Sequence, residues 1–426
     1  MDSLEENYRL VADFIAAAFP DTLKEAEGCL RHPFISPGGP YSGTLWDWDS
    51  YWTLFALLSV SGLRGDHEML RKVEPYAKGT FFNFLEHQGE DGALPILIQS
   101  DDEDPFDCLK SPGNNMAKPF LAQIGELLMK HGMLTPEDLW ERIYKIRAFH
   151  LCYEKRYLHP ATGLVVWAKD WGIGVDDDPA VWGRPENSCA SIFLNVFLYR
   201  DYLAAAGLCD AAGRPDYSAE YREKAGRIAA ALLKYCWDER EKAFFSVDVQ
   251  CRANLSHHRI WGALNFKLEP FWHCLRLKIL SWNCILPFWA GIGSQEQFDS
   301  FVRENLTPER LWSKFGIRSL SREEPMYAPE VARGNPSNWL GPVWIVANYI
   351  VWEALRDRGY GELAGRLADA VAGLLAGDLR RTGMFHEYYS PETGLGVCGP
   401  HFMSWNALAG VMKKDSESSE PKIISR

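Results

Sequence analysis

The sequence predicts an all-α fold, an (α/α)6 barrel of about twelve helices with long functional loops on one rim. Two observations carry this prediction. Apolar residues recur at three-to-four spacing, the period of a helix with one buried face, in about twelve segments. Long and short connections between these segments alternate along the chain, which indicates six helical hairpins arranged in a ring.

Helix formers and apolar spacing predict the twelve segments in chain order, and start signals support several of them. Thr135 is followed by Pro136, Glu137 and Asp138, a capping residue before proline and acids in the first turn. Asp66 is a second capping residue. The segments lie near residues 5–19, 49–62, 66–88, 116–132, 135–156, 186–206, 217–236, 275–290, 295–305, 337–358, 360–377 and 403–414.

The lengths of the connections between the predicted helices indicate where a functional site lies. Short links such as Arg64-Gly65 and Met133-Leu134 force neighbouring helices to run antiparallel. The longer connections run to about 25 residues, a length that is usually functional in a compact domain. In a ring of hairpins they all lie on one rim. Many of the 17 Trp fall inside them, which favours ligand-binding aromatic side chains there.

Composition bounds the protein class. With 47% hydrophobic and 24% charged residues in 426, the chain has the profile of a soluble globular protein. No composition break divides it, so we expect one catalytic domain over 1–412 and a polar, disordered tail over 413–426. Oligomeric state is left open.

Charge and targeting signals exclude several partners. The net charge of −12 argues against nucleic-acid binding, which needs clustered Lys and Arg. No apolar run reaches the roughly 18 residues that a membrane span requires. The first residues are acidic and lack a signal peptide, and the ten Cys show no metal-like spacing, so we expect a cytoplasmic protein that binds no membrane.

The first rim segment runs from Tyr41 to Ser50 and includes Trp46, Trp48 and Asp49. Its carboxylates could accept hydrogen bonds from sugar hydroxyls while its rings cover the C–H face of the sugar. The alternative is a helix-capping Asp49 beside packing tryptophans. This segment alone does not decide between the two.

The second rim segment, residues 167–179, holds three consecutive acids, Asp176, Asp177 and Asp178. Apolar surroundings raise a carboxyl pKa towards neutrality, as a general acid requires. A solvated turn or a metal site are the alternatives.

Two further segments complete the rim. Residues 383–394 place Glu387 between His386 and a pair of tyrosines, followed by a Pro-Glu-Thr-Gly turn. Residues 338–344 form an aromatic helix entrance with Trp339 and Trp344.

Two carboxylates from different loops on an aromatic rim suit glycoside hydrolysis. One carboxylic acid protonates the leaving oxygen, and a second carboxylate acts as base or nucleophile. Nucleophile elbows, Walker loops and dinucleotide-binding loops are absent from the sequence.

At these residues the sequence resembles glycoside hydrolase family 63, which includes mannosylglycerate and glucosylglycerate hydrolases and processing α-glucosidase and is related to the trehalases of family 37. The matching segments run in family order from about residue 41 to 406. They are Trp46-x-Trp48-Asp49, Gly174-Val175-Asp176, the 339–344 entrance, His386-Glu387-Tyr388-Tyr389 and His401–Trp405.

The resemblance implies an (α/α)6 barrel and an exo-acting α-glycosidase, most often an α-glucosidase. Such an enzyme inverts the configuration at the anomeric carbon of a small carbohydrate substrate and needs no cofactor. It implies that Asp176 is the general acid and Glu387 the general base. The other positions implied to bind substrate are Tyr41, Trp46, Trp48, Asp49, Lys118, Gly174, Trp339, Trp344 and His386.

This chain departs from the family pattern in three places. Lys118-Pro119-Phe120 replaces the common Gln-Pro-Pro, Ile173 replaces the Ser of the acid loop, and two further acids follow Asp176. Lys118 and Arg184 would suit a polar or negative leaving group, and both would equally suit ion pairs.

Alternatives stay open. The run Asp101–Asp107 would suit a structural Ca²⁺, or, with the acid loop, the Mg²⁺ site of a terpene synthase. His257-His258 would suit a sugar epimerase, and a sugar-binding protein would keep the tryptophans without catalysis. The sequence does not decide glucose against mannose.

Overall fold

A computed structural model of the chain describes residues 3–101, 114–251, 273–330 and 336–412. Several features singled out above lie outside these ranges: most of the acidic run Asp101–Asp107, His257-His258 and the 413–426 tail. The Ca²⁺ and epimerase hypotheses that depend on them therefore stay hypotheses, as does the division of the chain into one domain and a tail.

Helices form the frame of the described residues, close to the predicted segments. The α-helices are α1 Leu4–Ala18, α2 Asp47–Arg64, α3 His67–Glu86, α4 Leu121–Lys130, α5 Pro136–Tyr157, α6 Ile192–Ala211, α7 Pro215–Ala231, α8 Leu286–Trp289, α9 Gln295–Asn305, α10 Ile345–Asp357 and α11 Gly361–Thr382. Shorter helical turns of 3-10 or π type are Phe19–Thr22, Gly39–Tyr41, Leu232–Cys236, Trp282–Ile285 and Ser404–Gly410.

Burial separates these helices into two alternating classes. In α2, 13 of 18 residues are buried, and in α10, 10 of 13. The outer helix α1 buries only Val11 and Ile15. Helices buried on all sides alternate along the chain with helices buried on one face, which is the arrangement of an inner and an outer ring in an (α/α)6 barrel.

Short antiparallel strand pairs, which the sequence did not predict, lie in the long connections. The strands are β1 Leu23–Lys24, β2 Phe34–Ile35, β3 Thr44–Trp46, β4 Leu97–Gln99, β5 Leu158–His159, β6 Leu164–Val165, β7 Cys189–Ala190, β8 Trp237–Asp238, β9 Ala243–Phe244, β10 Val247–Asp248, β11 Leu275–Arg276, β12 Trp312–Ser313, β13 Gly316–Ile317, β14 Tyr388–Tyr389 and β15 Gly396–Cys398. All pairs are antiparallel, and β10 lies between β7 and β11.

Buried asparagines in the inner helices hold two of these hairpins. The Asn348 Oδ1 accepts the Ile317 amide at 2.6 Å, and its Nδ2 donates to the Ile317 carbonyl at 3.2 Å. Asn195 makes the same two bonds to Val165, each at 2.8 Å. Each amide side chain thus completes the backbone pairing of a buried strand, where an unpaired polar group would be costly.

Five predicted helices differ from the structure: those near 116–132 and 186–206 begin only at Leu121 and Ile192, and three others differ more. The helix predicted near 337–358 begins only at Ile345, because Gly341 has φ +126° and a Cβ there would lie 2.4 Å from the Tyr327 ring. The segment near 275–290 opens with strand β11 and turns helical at Trp282. The segment near 403–414 is the 3-10 turn Ser404–Gly410.

Helix α6 is long and apolar enough to cross a membrane by length and composition alone. Of its most apolar stretch, 78% is buried inside the protein. Its apolar character is therefore accounted for by its place in the inner ring.

Candidate active site

A pocket opens where five connections between helices meet at the ends of the inner helices. It encloses about 510 Å³, including its open mouth. Its lining combines aromatic rings with three carboxyl groups and one ammonium group. The lining residues are Tyr41, Trp46, Trp48, Asp49, Ile96, Lys118, Gly172, Gly174, Asp176, Ser337, Glu387 and Trp405.

Glu387 enters the pocket from the start of strand β14. Its backbone amide donates to the Cys398 carbonyl at 2.8 Å, which fixes it on the β14–β15 hairpin. The Tyr41 hydroxyl donates to the two carboxyl oxygens at 3.2 and 3.4 Å. Gly399 passes so close that a Cβ there would lie 2.7 Å from Oε2. The Glu387 carboxyl group is therefore held in one orientation.

The acid loop brings one of its three aspartates to the pocket. Asp176 is half-buried and lines it. Asp178 is turned inward, where it accepts the Ala180 amide at 2.9 Å and the Asn283 Nδ2 at 3.1 Å, so it caps the next turn. Asp177 has φ +60°, a conformation that Asn and Asp tolerate better than most residues. The geometry therefore distinguishes three acids that sequence alone leaves equivalent.

The first turn of α2 supplies Trp48 and Asp49. Trp48 packs against Trp405, with ring centroids 5.3 Å apart, and against Trp339 at 6.0 Å. Asp49 is 8% exposed and faces the pocket. Helix α2 thus begins two residues earlier than predicted and carries both side chains on its N-terminal end, where carboxylates are stabilised by the helix dipole.

A buried ion pair forms part of the pocket wall. The Lys118 Nζ lies 2.9 Å from the Asp47 Oδ1, and the two side chains are 2% and 3% exposed. Lys118 also donates to the Gly172 carbonyl at 3.3 Å. Gly174 is required here, because its φ is +85° and a Cβ would lie 3.2 Å from both Lys118 and Trp48. Two of the three ammonium protons are thus engaged by protein oxygens.

Three of the predicted substrate-binding residues do not line the pocket: Trp339, Trp344 and His386. Trp344 is fully buried, stacked between Trp339, at a centroid distance of 4.0 Å, and Tyr388, at 4.7 Å. The His386 Nδ1 lies 2.8 Å from the Asp378 carboxylate. Trp344 therefore offers no face to a sugar, contrary to the expectation, and supports the rings that do line the pocket.

The remaining predicted positions come together in the pocket: Tyr41, Trp46, Trp48, Asp49, Lys118, Gly174, Asp176 and Glu387. Sequence reasoning did not assign Ile96, Gly172, Ser337 or Trp405 to the site. Trp405 lies in a family-like segment, which was a usable signal. Ile96 and Ser337 sit in connections whose folding brings them to the pocket, and no local pattern marks them.

The three carboxyl groups influence one another. Burial, followed by the negative charge of Asp49, raises the pKa of Glu387 to about 8, while the hydrogen bond from Tyr41 lowers it. Burial raises the pKa of Asp49 to about 7, Lys118 lowers it, and Asp47 and Asp176 raise it. The pocket therefore holds protons that exposed carboxyl groups would release near pH 4.

A pH prediction follows for Asp49→Asn. A base is active only when deprotonated, so activity should rise as the pH increases through the pKa of Glu387. Asp49 is ionised above about pH 7 and opposes that ionisation. Removing its charge should lower the pKa of Glu387, and the acid limb of the kcat/KM profile should move to lower pH by on the order of half a unit to one unit.

Glu392→Gln is the matched control for this experiment. Glu392 lies on the same hairpin as Glu387, but its carboxylate bonds to Tyr327 outside the pocket lining. We expect the control to leave the acid limb in place. An acid limb that stays in place in Asp49→Asn as well would contradict the coupling of the two carboxyl groups.

Comparisons with known proteins identify the family and the fold. A sequence model of the mannosylglycerate hydrolase MGH1-like glycoside hydrolase domain matches residues 45–405. Mannosylglycerate hydrolase from Thermus thermophilus is 27% identical over 303 residues, 62% of this chain and 67% of that protein. Mannosylglycerate hydrolase MGH1 from Selaginella moellendorffii is 37% identical over 125 residues, 29% of this chain and only 22% of that protein.

Solved structures share the architecture. The crystal structure of GH63 mannosylglycerate hydrolase from Thermus thermophilus in complex with glucose superposes with a TM-score of 0.65 at 21% identity, covering 94% of this chain and 98% of that one. Neutral trehalase Nth1 from Saccharomyces cerevisiae superposes with a TM-score of 0.63 at 18% identity, covering 90% and 74%. At these identities the likeness bears on the fold, and it confirms the predicted (α/α)6 barrel.

The fold and the family match together define the class of protein, a glycoside hydrolase built on an (α/α)6 barrel. The chain belongs to the mannosylglycerate hydrolase MGH1-like glycoside hydrolase family, because the family model spans most of its length. The resemblance to glycoside hydrolase family 63, related to the trehalases, is confirmed.

Proposed function

We propose that the chain is an inverting, exo-acting α-glycosidase. It releases one terminal sugar, which we assign as glucose, from a small α-glucoside or oligosaccharide. One observation carries the proposal: Asp176 and Glu387 come from different connections and line the same aromatic-walled pocket. Such a pair is what glycoside hydrolysis requires.

In this proposal, Asp176 is the general acid and protonates the glycosidic oxygen as the bond to the anomeric carbon breaks. Glu387, deprotonated, removes a proton from a water molecule that attacks the opposite face of the sugar. Inversion needs the two carboxyl groups about 6.5–9.5 Å apart, so that the water fits between base and sugar. Tyr41 supports this assignment, since its bonds to both Glu387 oxygens leave the base in one orientation.

The remaining lining residues would bind the sugar. Asp49 and Lys118 supply an acceptor and a donor side by side, a combination that suits a pair of neighbouring hydroxyl groups. Trp46, Trp48 and Trp405 supply apolar faces for the ring and exclude water. The wall formed by the buried Lys118–Asp47 pair favours an end-on substrate over a chain threaded through the site.

Names of relatives point to the sugars worth testing. The relatives include proteins named mannosylglycerate hydrolase and probable mannosyl-oligosaccharide glucosidase. We include a cofactor-free reaction and a cytoplasmic location in the proposal.

The test is ¹H NMR of the purified protein with trehalose, kojibiose, nigerose, maltose, sucrose, glucosylglycerate and mannosylglycerate. The proposal expects release of glucose from at least one α-glucoside. Release of mannose alone would replace the glucose assignment, and no release of any sugar from this panel or from α-glucosyl fluoride would contradict the function.

A further inference from the structure

Two tryptophans of the acid loop lie exposed on the rim. Trp171 is 47% exposed and Trp182 is 55% exposed. Trp is a highly buried residue on average, and indoles left in solvent near a pocket often mark a binding surface. By contrast, Trp339 is 2% exposed and Trp344 is fully buried in the core beneath the pocket, so the two rim rings are far more open to solvent.

A hydrogen bond joins the two stretches of the loop that carry these rings. The Gly183 amide donates to the Asp170 Oδ2 at 2.9 Å. Asp170 directly precedes Trp171, and Gly183 directly follows Trp182, so this bond joins the chain beside one indole to the chain beside the other.

The backbone of Trp171 is also held by a buried asparagine. The Asn115 Nδ2 donates to its carbonyl at 2.6 Å and to the Lys169 carbonyl at 2.8 Å, and Asn115 is 1% exposed. The exposed ring is therefore carried by a fixed backbone.

The same loop carries the acid. Gly172, the neighbour of Trp171, and Asp176 both line the pocket. A general acid must reach the oxygen between the two halves of the substrate, so the loop that carries it lies on the side of the leaving group. Both indoles are thus carried by the loop that holds the general acid, and Trp171 directly precedes a residue of the pocket lining.

We propose that Trp171 and Trp182 form a subsite that stacks on the ring of a leaving-group sugar, which makes the substrate an α-linked disaccharide or longer oligosaccharide rather than a glycoside of glycerate. Pyranose rings present a C–H face that packs on aromatic surfaces, whereas glycerate has no ring and a carboxylate that needs a cation. This inference rests on the proposed function and specifies its leaving group.

The experiment compares Trp171→Ala and Trp182→Ala with Trp140→Ala. Trp140 is the matched control because it is equally exposed, at 51%, but lies elsewhere. It sits near the N-terminal end of the 22-residue outer helix α5, whereas the acid loop follows the C-terminal end of that helix. Each variant is assayed with maltose, nigerose, kojibiose and trehalose, and with α-glucosyl fluoride, whose leaving group has no ring. We expect kcat/KM for the disaccharide that is turned over to fall about three- to tenfold in each rim variant. The fluoride rate should change less than twofold, and Trp140→Ala should change neither.

Other outcomes overturn the inference. Equal losses on the disaccharide and the fluoride would assign the indoles a structural role, and no loss on either would remove them from the site. Turnover of glucosylglycerate or mannosylglycerate without any disaccharide would contradict the ring subsite and leave the hydrolase function standing.

If α-glucosyl fluoride and all glycosides remain intact, the proposed function itself has failed. Indole fluorescence titrated with the same four disaccharides then decides the subsite. A change that disappears in Trp171→Ala and persists in Trp140→Ala supports it, and no change overturns it.

Discussion

Asp176→Asn should abolish turnover of α-glucosides with poor leaving groups while preserving most of the hydrolysis of α-glucosyl fluoride. The substitution removes the only proton donor we assign to the glycosidic oxygen and keeps the shape of the side chain. General acid catalysis contributes about 10²–10⁴-fold, so kcat on the disaccharide should fall by that factor. Fluoride leaves without protonation and should not depend on the acid. The measurement is kcat and KM on both substrates, with thermal unfolding to verify the fold.

The neighbouring aspartate provides the control. Asp177 lies outside the pocket lining, and Asn adopts its φ of +60° as readily as Asp does. We therefore expect Asp177→Asn to keep kcat on the disaccharide within a fewfold of the native value. If Asp177→Asn were the inactive variant and Asp176→Asn the active one, the assignment of the acid would be wrong.

Glu387→Gln should abolish turnover of both substrates, because hydrolysis of the fluoride still needs an activated water molecule. The amide retains an oxygen that can accept the Tyr41 hydroxyl, so the pocket should keep its shape. The expected loss is again about 10²–10⁴-fold. Added azide, a nucleophile that needs no base, should restore the reaction of α-glucosyl fluoride and yield β-glucosyl azide.

The anomeric form of the azide product reports the face from which the nucleophile attacks. A β-azide places the attack on the face opposite the fluoride, where we assign Glu387 to activate water. An α-azide would instead indicate that azide attacks a covalent glycosyl intermediate, as it does when a retaining enzyme lacks its acid–base residue. Unchanged activity of Glu387→Gln would remove Glu387 from the mechanism.

The helical frame was predictable because its signals are local and repeated. Apolar spacing marks each helix. A link as short as that between α2 and α3 forces the two helices to pack antiparallel. The β-strands were missed because most of them are two residues long, too short for an alternating pattern to emerge. Helix α10 was predicted too long because the apolar run continues through Gly341, where the backbone takes a φ of +126° that a helix does not allow.

The catalytic carboxylates of the candidate site were predictable, because few residue types can act as the acid and the base of glycoside hydrolysis. Glu387 stands out as a carboxylate in an aromatic loop, and the resemblance to family 63 selects Asp176 from three consecutive acids; both line the pocket. The burial of Trp344 and the pairing of Lys118 with Asp47, 71 positions away, depend on tertiary packing. The sequence therefore predicted Trp344 as a substrate contact although it is buried, and it did not predict that Lys118, which does line the pocket, is paired with Asp47.

The central claim is an inverting reaction at an α-linked sugar, and ¹H NMR of the first turnovers tests it most directly. Starting from the α-glucoside that the protein cleaves, we expect the anomeric signal of β-glucose to appear first and the α-anomer to grow later by mutarotation. Early appearance of α-glucose would show retention and contradict the assignment of Glu387 as the base that activates water.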